Sequence, residues 1–165
     1  MDRFVLSALV QNNAGVLSRV SGLFSRRGFN IDSLTVGETS DAKLSRMTIV
    51  AQGDEARLEQ IEKQLAKLIE VVAVHRLDPD RSVFREIALV KVKASSDTRA
   101  SIIQIADVFR ARVVDVAAES LIVEVTGDQA KVDGLIELLV PYGILELART
   151  GIAALSRGPL VLSLI

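Results

Sequence analysis

Hydrophobic and polar positions follow one another along the chain in a pattern that predicts short strands and amphipathic helices. Residues 4–10 form an apolar run rich in strand-forming side chains, which the turn-forming residues 11–15 close. From Val16 the apolar positions follow helical spacing until Gly28, a typical C-terminal stop for a helix. A strand followed by a helix is therefore predicted at the start.

The pattern then predicts two strands, a helix and a fourth strand. Strands are expected over residues 31–37 and 44–52, and apolar and polar side chains alternate in the second, which indicates a hairpin with one solvated face. Asp54 is a plausible N-cap for the helix that follows, and residues 71–77 form the last strand. The order βαββαβ is typical of the ferredoxin-like fold, an antiparallel sheet with both helices on one face.

The same order begins again after a polar, proline-containing linker at residues 78–84. The predicted elements of the second half are a strand at 85–93, a helix at 97–110, strands at 112–116 and 121–126, a helix at 128–140 and a strand at 144–149. We therefore predict an α+β chain of two tandem ferredoxin-like βαββαβ units, with domains at residues 1–77 and 85–165.

Each predicted sheet is covered by helices on one face only. A domain of this size buries a modest core, so the open face is expected to pair with another copy of the chain. Unpaired backbone groups on an edge strand point the same way, because they can join two sheets. A homodimer or larger assembly is expected.

The composition excludes several functional classes. With 20 Lys and Arg against 21 Asp and Glu, the net charge is −1, so nucleic acid is not an expected partner. The chain has no cysteine and a single histidine, His75, which argues against disulfides, thiolate catalysis and Cys- or His-paired metal sites. No apolar run reaches the roughly 20 residues of a membrane span and the first residues lack signal-peptide features, so a cytoplasmic location is expected.

No catalytic centre is indicated by the pattern. His75 lies in the predicted strand 71–77 without a nucleophile motif nearby, and a surface histidine at a strand end is the favoured interpretation. The acidic residues are scattered, mostly on helix faces, where solvated charges are expected. We therefore expect no enzymatic activity and no bound cofactor or metal in this chain.

The segment between the first strand and the first helix has the properties of a ligand site. Gly15 allows close approach of the backbone, and the first N–H groups of the helix carry the positive end of its dipole. Asn12 offers both a donor and an acceptor, so a small carboxylate would fit. On this segment alone the simpler interpretation is favoured, in which Asn12 caps the helix and Gly15 makes the turn.

A second asparagine strengthens the ligand interpretation. Asn30 lies where the first helix leads into the second strand. In isolation it is a turn residue. Across a dimer whose sheets join side by side, Asn30 of one chain could face the 12–15 loop of the other and accept a hydrogen bond from a ligand amino group.

These residues resemble those of a known family, the regulatory small subunits of acetolactate synthase, also called acetohydroxyacid synthase. The resemblance rests on the pattern NxxGxLxR at 12–19, GLFSRRGFNIDSLTV at 22–36 and LSRMTI at 44–49, and continues through QIEKQL at 60–65, REIALVKV at 85–92, ARTG at 148–151 and LSRG at 155–158. The first pattern alone is shared by many amino-acid-responsive ACT domains. The apolar tail at 159–165 departs from the family, and no function is assigned to it.

The resemblance implies a non-catalytic subunit that activates the catalytic large subunit and confers feedback inhibition by valine in branched-chain amino acid biosynthesis. It also implies that the large subunit, not this chain, carries thiamine diphosphate, FAD and magnesium. Residues 1–77 would be the ACT domain, which would form a homodimer. The implied valine ligands are Asn12, Ala14, Gly15, Val16 and Leu17 of one chain with Asn30 and Ile31 of the other.

A mechanism for valine binding follows as a hypothesis. The Gly15 backbone would hold the carboxylate, Asn30 would hold the ammonium group, and Val16 with Ile31 would form an apolar wall. The alternative is a stand-alone ACT-type sensor of amino acids that acts on another enzyme or regulator.

Overall fold

The structure is a computed structural model in which residues 2–162 are described. The chain divides into two compact units. Unit 1 comprises the residues up to Val83 together with the segment that begins at Ile152, and unit 2 comprises Phe84–Gly151. No helix within residues 2–162 is long and apolar enough to cross a membrane.

Unit 1 contains one βαββαβ element series. Its elements are β1 (Asp2–Gln11), α1 (Val16–Arg26), β2 (Ile31–Glu38), β3 (Leu44–Gly53), α2 (Glu55–Leu65) and β4 (Val71–Leu77). All strand pairs are antiparallel and the sheet order is β2-β3-β1-β4. Alternate residues of β1 and β3 pack against the apolar stripes of both helices to form the core, among them Leu6, Ala8, Ile49, Phe24 and Ile61.

The alternating pattern predicted that the second face of the sheet of unit 1 would be solvated, but several of its side chains are buried. Thr48 and Val50 of β3 are both buried there, and Ser7 of β1 is fully buried. The segment that begins at Ile152 lies against β4 and borders this face, with Ile152 and Ala154 buried. The predicted solvated face is therefore wrong for Thr48 and Val50 of β3, whereas Gln52 at the end of the strand is exposed.

Unit 2 repeats the element order of unit 1. It contains most of β5 (Ser82–Lys93), then α3 (Arg99–Val108), β6 (Arg112–Val116), β7 (Ser120–Gly127), α4 (Gln129–Leu139) and β8 (Ile144–Arg149). The sheet order is β6-β7-β5-β8, again antiparallel. Ile102 of α3 and Leu135 of α4 pack on the inward residues Val90 and Val123. The predicted fold class, two ferredoxin-like units with helices on one sheet face, is confirmed.

The observed boundaries between the two units differ from the domain boundaries predicted from the sequence. The predicted linker at 78–84 contains a short 3-10 turn, Pro79–Arg81, and the first residues of β5. A further strand that the pattern did not predict, β9 (Ala153–Ser156), pairs with β5. Residues 152–162, which the sequence assigns to the second domain, group with unit 1. The last three residues of the apolar tail, 163–165, lie outside the described part of the chain.

Candidate functional site

The loop between β1 and α1 has an open backbone at a helix N-terminus. Gly15 occupies the N-cap position with φ of +85°, a conformation that glycine adopts without steric cost. A Cβ built at Gly15 would meet nothing within 4 Å, so the space above this backbone is free of atoms from the described residues. The turn-forming role predicted for Gly15 is confirmed.

Asn12 does not cap α1, which has no side-chain hydrogen bond at its N-cap. The Asn12 amide nitrogen instead donates to the carboxylate of Glu38 at 3.0 Å and to the carbonyl of Ala42 at 2.9 Å. The capping interpretation of Asn12 is therefore wrong. No side chain caps the N-terminus of α1, where the backbone N–H of Val16 donates to the carbonyl of Asn13 at 3.4 Å. The positive end of the helix dipole is therefore open to an anion.

The remaining loop residues differ in where their side chains lie. Ala14 is exposed and Leu17 is 46% exposed. Val16 is 4% exposed and belongs to the core of unit 1. Its side chain therefore cannot form the apolar wall expected of it, and Leu17 is the exposed apolar side chain next to Gly15.

Asn30 and Ile31 lie at the opposite end of the sheet from this loop. Ile31 pairs with Ala51, which pairs with Phe4, whereas the loop follows Gln11 at the other end of β1. The seven positions from Phe4 to Gln11 correspond to roughly 24 Å of strand. Within one chain the structure does not bring the two groups of predicted site residues together.

The sheet topology shows how a second copy could bring them together. β2 is an edge strand, with Asn30 just before its start and Glu38 at its end. If two copies of β2 paired antiparallel, Asn30 of one copy would approach the Glu38 end of the other. Glu38 is the residue bonded to Asn12, so this end of β2 adjoins the loop.

The charges at the loop are mixed. Arg19 forms an ion pair with Glu70 on one side, and Glu38 contributes a carboxylate on the other. Asn30 is exposed and donates to Asp32 at 3.2 Å, which leaves its amide oxygen as an acceptor. A zwitterion carries both charges and matches such a mixed surface.

Sequence reasoning missed the partners of Asn12. Glu38 is 26 positions away and Ala42 is 30 positions away, and no local pattern marks either as part of the site. Among residues 2–162, no cluster of three or more His, Asp or Glu side chains is arranged to hold a metal ion. What the loop offers is a helix N-terminus with an open backbone, an arrangement that suits the binding of an anion.

Comparison with protein families gives two matches that together span most of the chain. Residues 6–73 match the model described as the AHAS small subunit-like ACT domain. Residues 85–158 match the model described as the small subunit of acetolactate synthase. The two matches coincide closely with the two βαββαβ series.

Individual relatives agree with the family matches. A probable acetolactate synthase small subunit of Methanothermobacter thermautotrophicus is 54% identical over 158 residues, which are 95% of this chain and 94% of the relative. The acetolactate synthase small subunit of Mycolicibacterium smegmatis is 53% identical over 154 residues, 93% of this chain and 91% of the relative.

A solved structure supports the same assignment. The crystal structure of the acetolactate synthase small subunit from Thermotoga maritima has a TM-score of 0.89 and 44% identity. The match covers 97% of this chain and 100% of that one. The fold and the sequence pattern are therefore shared along 97% of the chain, which belongs to the family of acetolactate synthase small subunits.

Proposed function

We propose that this chain activates the catalytic large subunit of acetolactate synthase and makes it sensitive to valine. Membership of the small-subunit family supports the partnership with a large subunit. The match of residues 6–73 to an ACT domain supports the binding of an amino acid. We expect thiamine diphosphate, FAD and magnesium to belong to the large subunit, and this chain to bind none of them.

The effector would bind between two copies of unit 1. The observation that carries the proposal is the N-terminus of α1, which no side chain caps and which Gly15 leaves open. The valine carboxylate would accept a hydrogen bond from the backbone N–H of Gly15 and would be stabilised by the positive end of the α1 dipole. The ammonium group would donate to the amide oxygen of Asn30 from the second copy.

Apolar contacts would select the side chain of the effector. Leu17 of one copy is exposed beside the loop, and Ile31 of the other copy is half-buried at the start of β2. Together they would enclose an isopropyl group, while Ala14 leaves space for the amino acid backbone. Asn12 would act as a positioning residue, because it ties the loop to Glu38 at the end of β2.

Valine can regulate only if it binds one arrangement of the complex more tightly than another. Because the proposed site includes residues of two copies, valine would stabilise the arrangement in which the two β2 strands adjoin. A typical coupling free energy of ~1 to 3 kcal/mol would change activity several-fold.

The direct test is reconstitution with the matching large subunit. Conversion of pyruvate to acetolactate is measured with and without this chain, each across a valine titration. We expect the chain to raise turnover and to make it fall with valine. Turnover that is indifferent to the chain would contradict the proposal and leave a stand-alone amino-acid sensor.

Two variants at one position test the placement of the carboxylate. Gly15→Asp should abolish valine sensitivity, because its side-chain carboxylate would repel that of the ligand. Gly15→Asn is the matched control, since Asn has almost the same size and tolerates positive φ equally well. The neutral variant should retain at least part of the response. Equal loss in both variants would argue against an electrostatic cause, and full valine inhibition of Gly15→Asp would refute this placement.

A further inference from the structure

A second concave site lies in unit 1, away from the loop at Gly15. A cavity of about 460 Å³ borders the sheet face opposite the helices. Its floor includes Ser7 of β1, Arg46 of β3 and His75 of β4, and the segment 155–162 forms part of its wall. The volume falls within the range of sites that hold small molecules.

The polar side of this cavity is cationic. Arg46, Arg76 and Arg81 line it, and Asp78 is the one carboxylate among the lining residues. Arg76 is neutralised by both carboxylate oxygens of Glu55, at 2.6 and 2.7 Å. Within residues 2–162, neither Arg46 nor Arg81 has an ion-pair partner.

Of the two arginines of this cavity that form no ion pair within residues 2–162, Arg46 is the more buried. It is partly buried, and its guanidinium donates to the hydroxyl of the fully buried Ser7 at 2.8 Å. A guanidinium has five N–H donors and stays charged at any ordinary pH. A partly buried charge without a counter-ion is costly, and an anion in the cavity would supply one.

The opposite wall is apolar. Leu155, Leu160 and Val161 line the cavity while remaining largely exposed to solvent, at 58%, 60% and 77%. Contact with an apolar ligand body would remove this surface from water. A bare inorganic anion would leave the wall unused.

We propose that this cavity binds a short-chain aliphatic monocarboxylate. Its carboxylate pairs with Arg46, assisted by Arg81, and its alkyl chain packs on the wall formed by Leu155, Leu160 and Val161. The site is separate from the valine site proposed above and does not depend on it. It gives a role to two segments, LSRM at 44–47 and LSRG at 155–158, that the proposed valine site does not use.

The test uses the full-length isotope-labelled chain and hexanoate as the probe. Hexanol carries the same alkyl chain without the charge, and inorganic phosphate carries the charge without the alkyl chain. NMR follows the side-chain Nε–H signal of Arg46 and the backbone amides of residues 155–162. We expect saturable shifts of these signals with hexanoate, and at least about tenfold weaker binding of hexanol and of phosphate.

Variants then locate the site. Arg46→Gln should weaken hexanoate binding about tenfold or more, because the substitution removes a charge-assisted hydrogen bond to the carboxylate. Arg81→Gln, at an exposed position, should weaken hexanoate binding less than Arg46→Gln does. This second variant still tests the site if Arg46→Gln does not fold. Arg112→Gln, an exposed arginine in β6, is the matched control and should bind as the parent does.

Three outcomes would overturn the proposal. The first is the absence of saturable shifts at Arg46. The second is binding of phosphate or hexanol with the same affinity as hexanoate. Equal affinity for phosphate would show that the apolar wall contributes nothing, and equal affinity for hexanol would show the same of the charge. The third is hexanoate binding unaffected by both Arg46→Gln and Arg81→Gln, which would place the ligand elsewhere.

Discussion

At the scale of single residues, a network in unit 2 joins a buried carboxylate to one arginine. Glu86 of β5 is 5% exposed and forms an ion pair with Arg149 of β8. The same guanidinium donates to Asp133 of α4 at 2.7 Å. Burial by itself lowers the pKa of Arg149, but the hydrogen bonds and charges of the two carboxylates outweigh it and raise the pKa above its ordinary value.

Removal of Arg149 should destabilise the chain substantially. Arg149→Met leaves the Glu86 carboxylate buried without a partner, and we expect a loss of about 2 to 3 kcal/mol in the free energy of unfolding, since Arg149 is itself partly exposed. Urea unfolding measures the loss. The control is Lys91→Met, which breaks an exposed β5–β8 ion pair with Glu146 and should cost less than about 1 kcal/mol. Equal losses of unfolding free energy in the two variants would show that the ion pairs of Arg149 stabilise the chain no more than the exposed pair does.

The same network should be insensitive to pH around neutrality. A raised pKa in the folded state gives stability that is present below the pKa of the unfolded arginine and is lost only as pH rises through the folded value. Both values lie far above neutrality for Arg149. The contribution of the Arg149 charge to stability should therefore stay constant around neutral pH.

At the scale of elements, the two helices of unit 1 begin differently. Asp54 caps α2, where its carboxylate accepts a hydrogen bond from the backbone N–H of Arg57 at 2.8 Å, as the sequence predicted. α1 begins at Gly15 and has no such cap. A helix whose N-terminus is left open loses about 1 kcal/mol of capping stabilisation, which binding of an anion at α1 could restore.

An ion pair along α2 should make a small contribution that depends on pH. Lys63 donates to Glu59 at 2.6 Å, and this hydrogen bond and the lysine charge lower the pKa of Glu59 below its ordinary value. A lowered pKa gives stability that is present above the unfolded value and lost as pH falls through the folded value. Lys63→Gln should therefore lower the Tm slightly near pH 7 and by less near pH 3.

Thermal unfolding at the two pH values checks this expectation. The control is Lys67→Gln, which removes an exposed lysine that has no carboxylate partner within the described residues. A Tm difference for Lys63→Gln that is equally large at the acid pH would contradict the role of Glu59.

Most elements could be predicted from the sequence because their patterns are local. The bounds of β4, β6 and β8 agree with those expected from apolar runs between turn residues. β9 was missed because Ala153–Ser156 is short and has little apolar periodicity, so its strand conformation depends on pairing with β5.

At the scale of the whole molecule, unit 1 is built from two segments that are far apart in the sequence. Residues 152–162 group with the first βαββαβ series. The backbone N–H of Arg157 donates to the carbonyl of Arg81 at 2.7 Å, and Ile152 and Ala154 are buried. The end of the described chain is thus part of the structure of unit 1.

A charge placed at Ile152 should therefore destabilise unit 1. Ile152→Asp buries an unpaired carboxylate, with an expected cost of about 2 kcal/mol or more. Hydrogen exchange should show faster exchange of the β1 and β4 amides, with the helices of unit 2 less affected. Ala153→Asp, at an exposed position in the same segment, is the control and should exchange as the parent does. Unchanged protection of β4 in Ile152→Asp would refute the structural role of this segment.

The sequence by itself determined the two repeated element series, the fold class and the turn at Gly15, because periodicity and turn chemistry are properties of short windows of chain. The tertiary structure alone decided that Asn12 binds Glu38 and not the helix end, and that Asn30 lies at the far end of the sheet. It also decided that the segment from Ile152 borders the sheet of unit 1. These contacts join residues 20 or more positions apart. Their partners are determined by burial and hydrogen bonding in the folded chain, which no local pattern encodes.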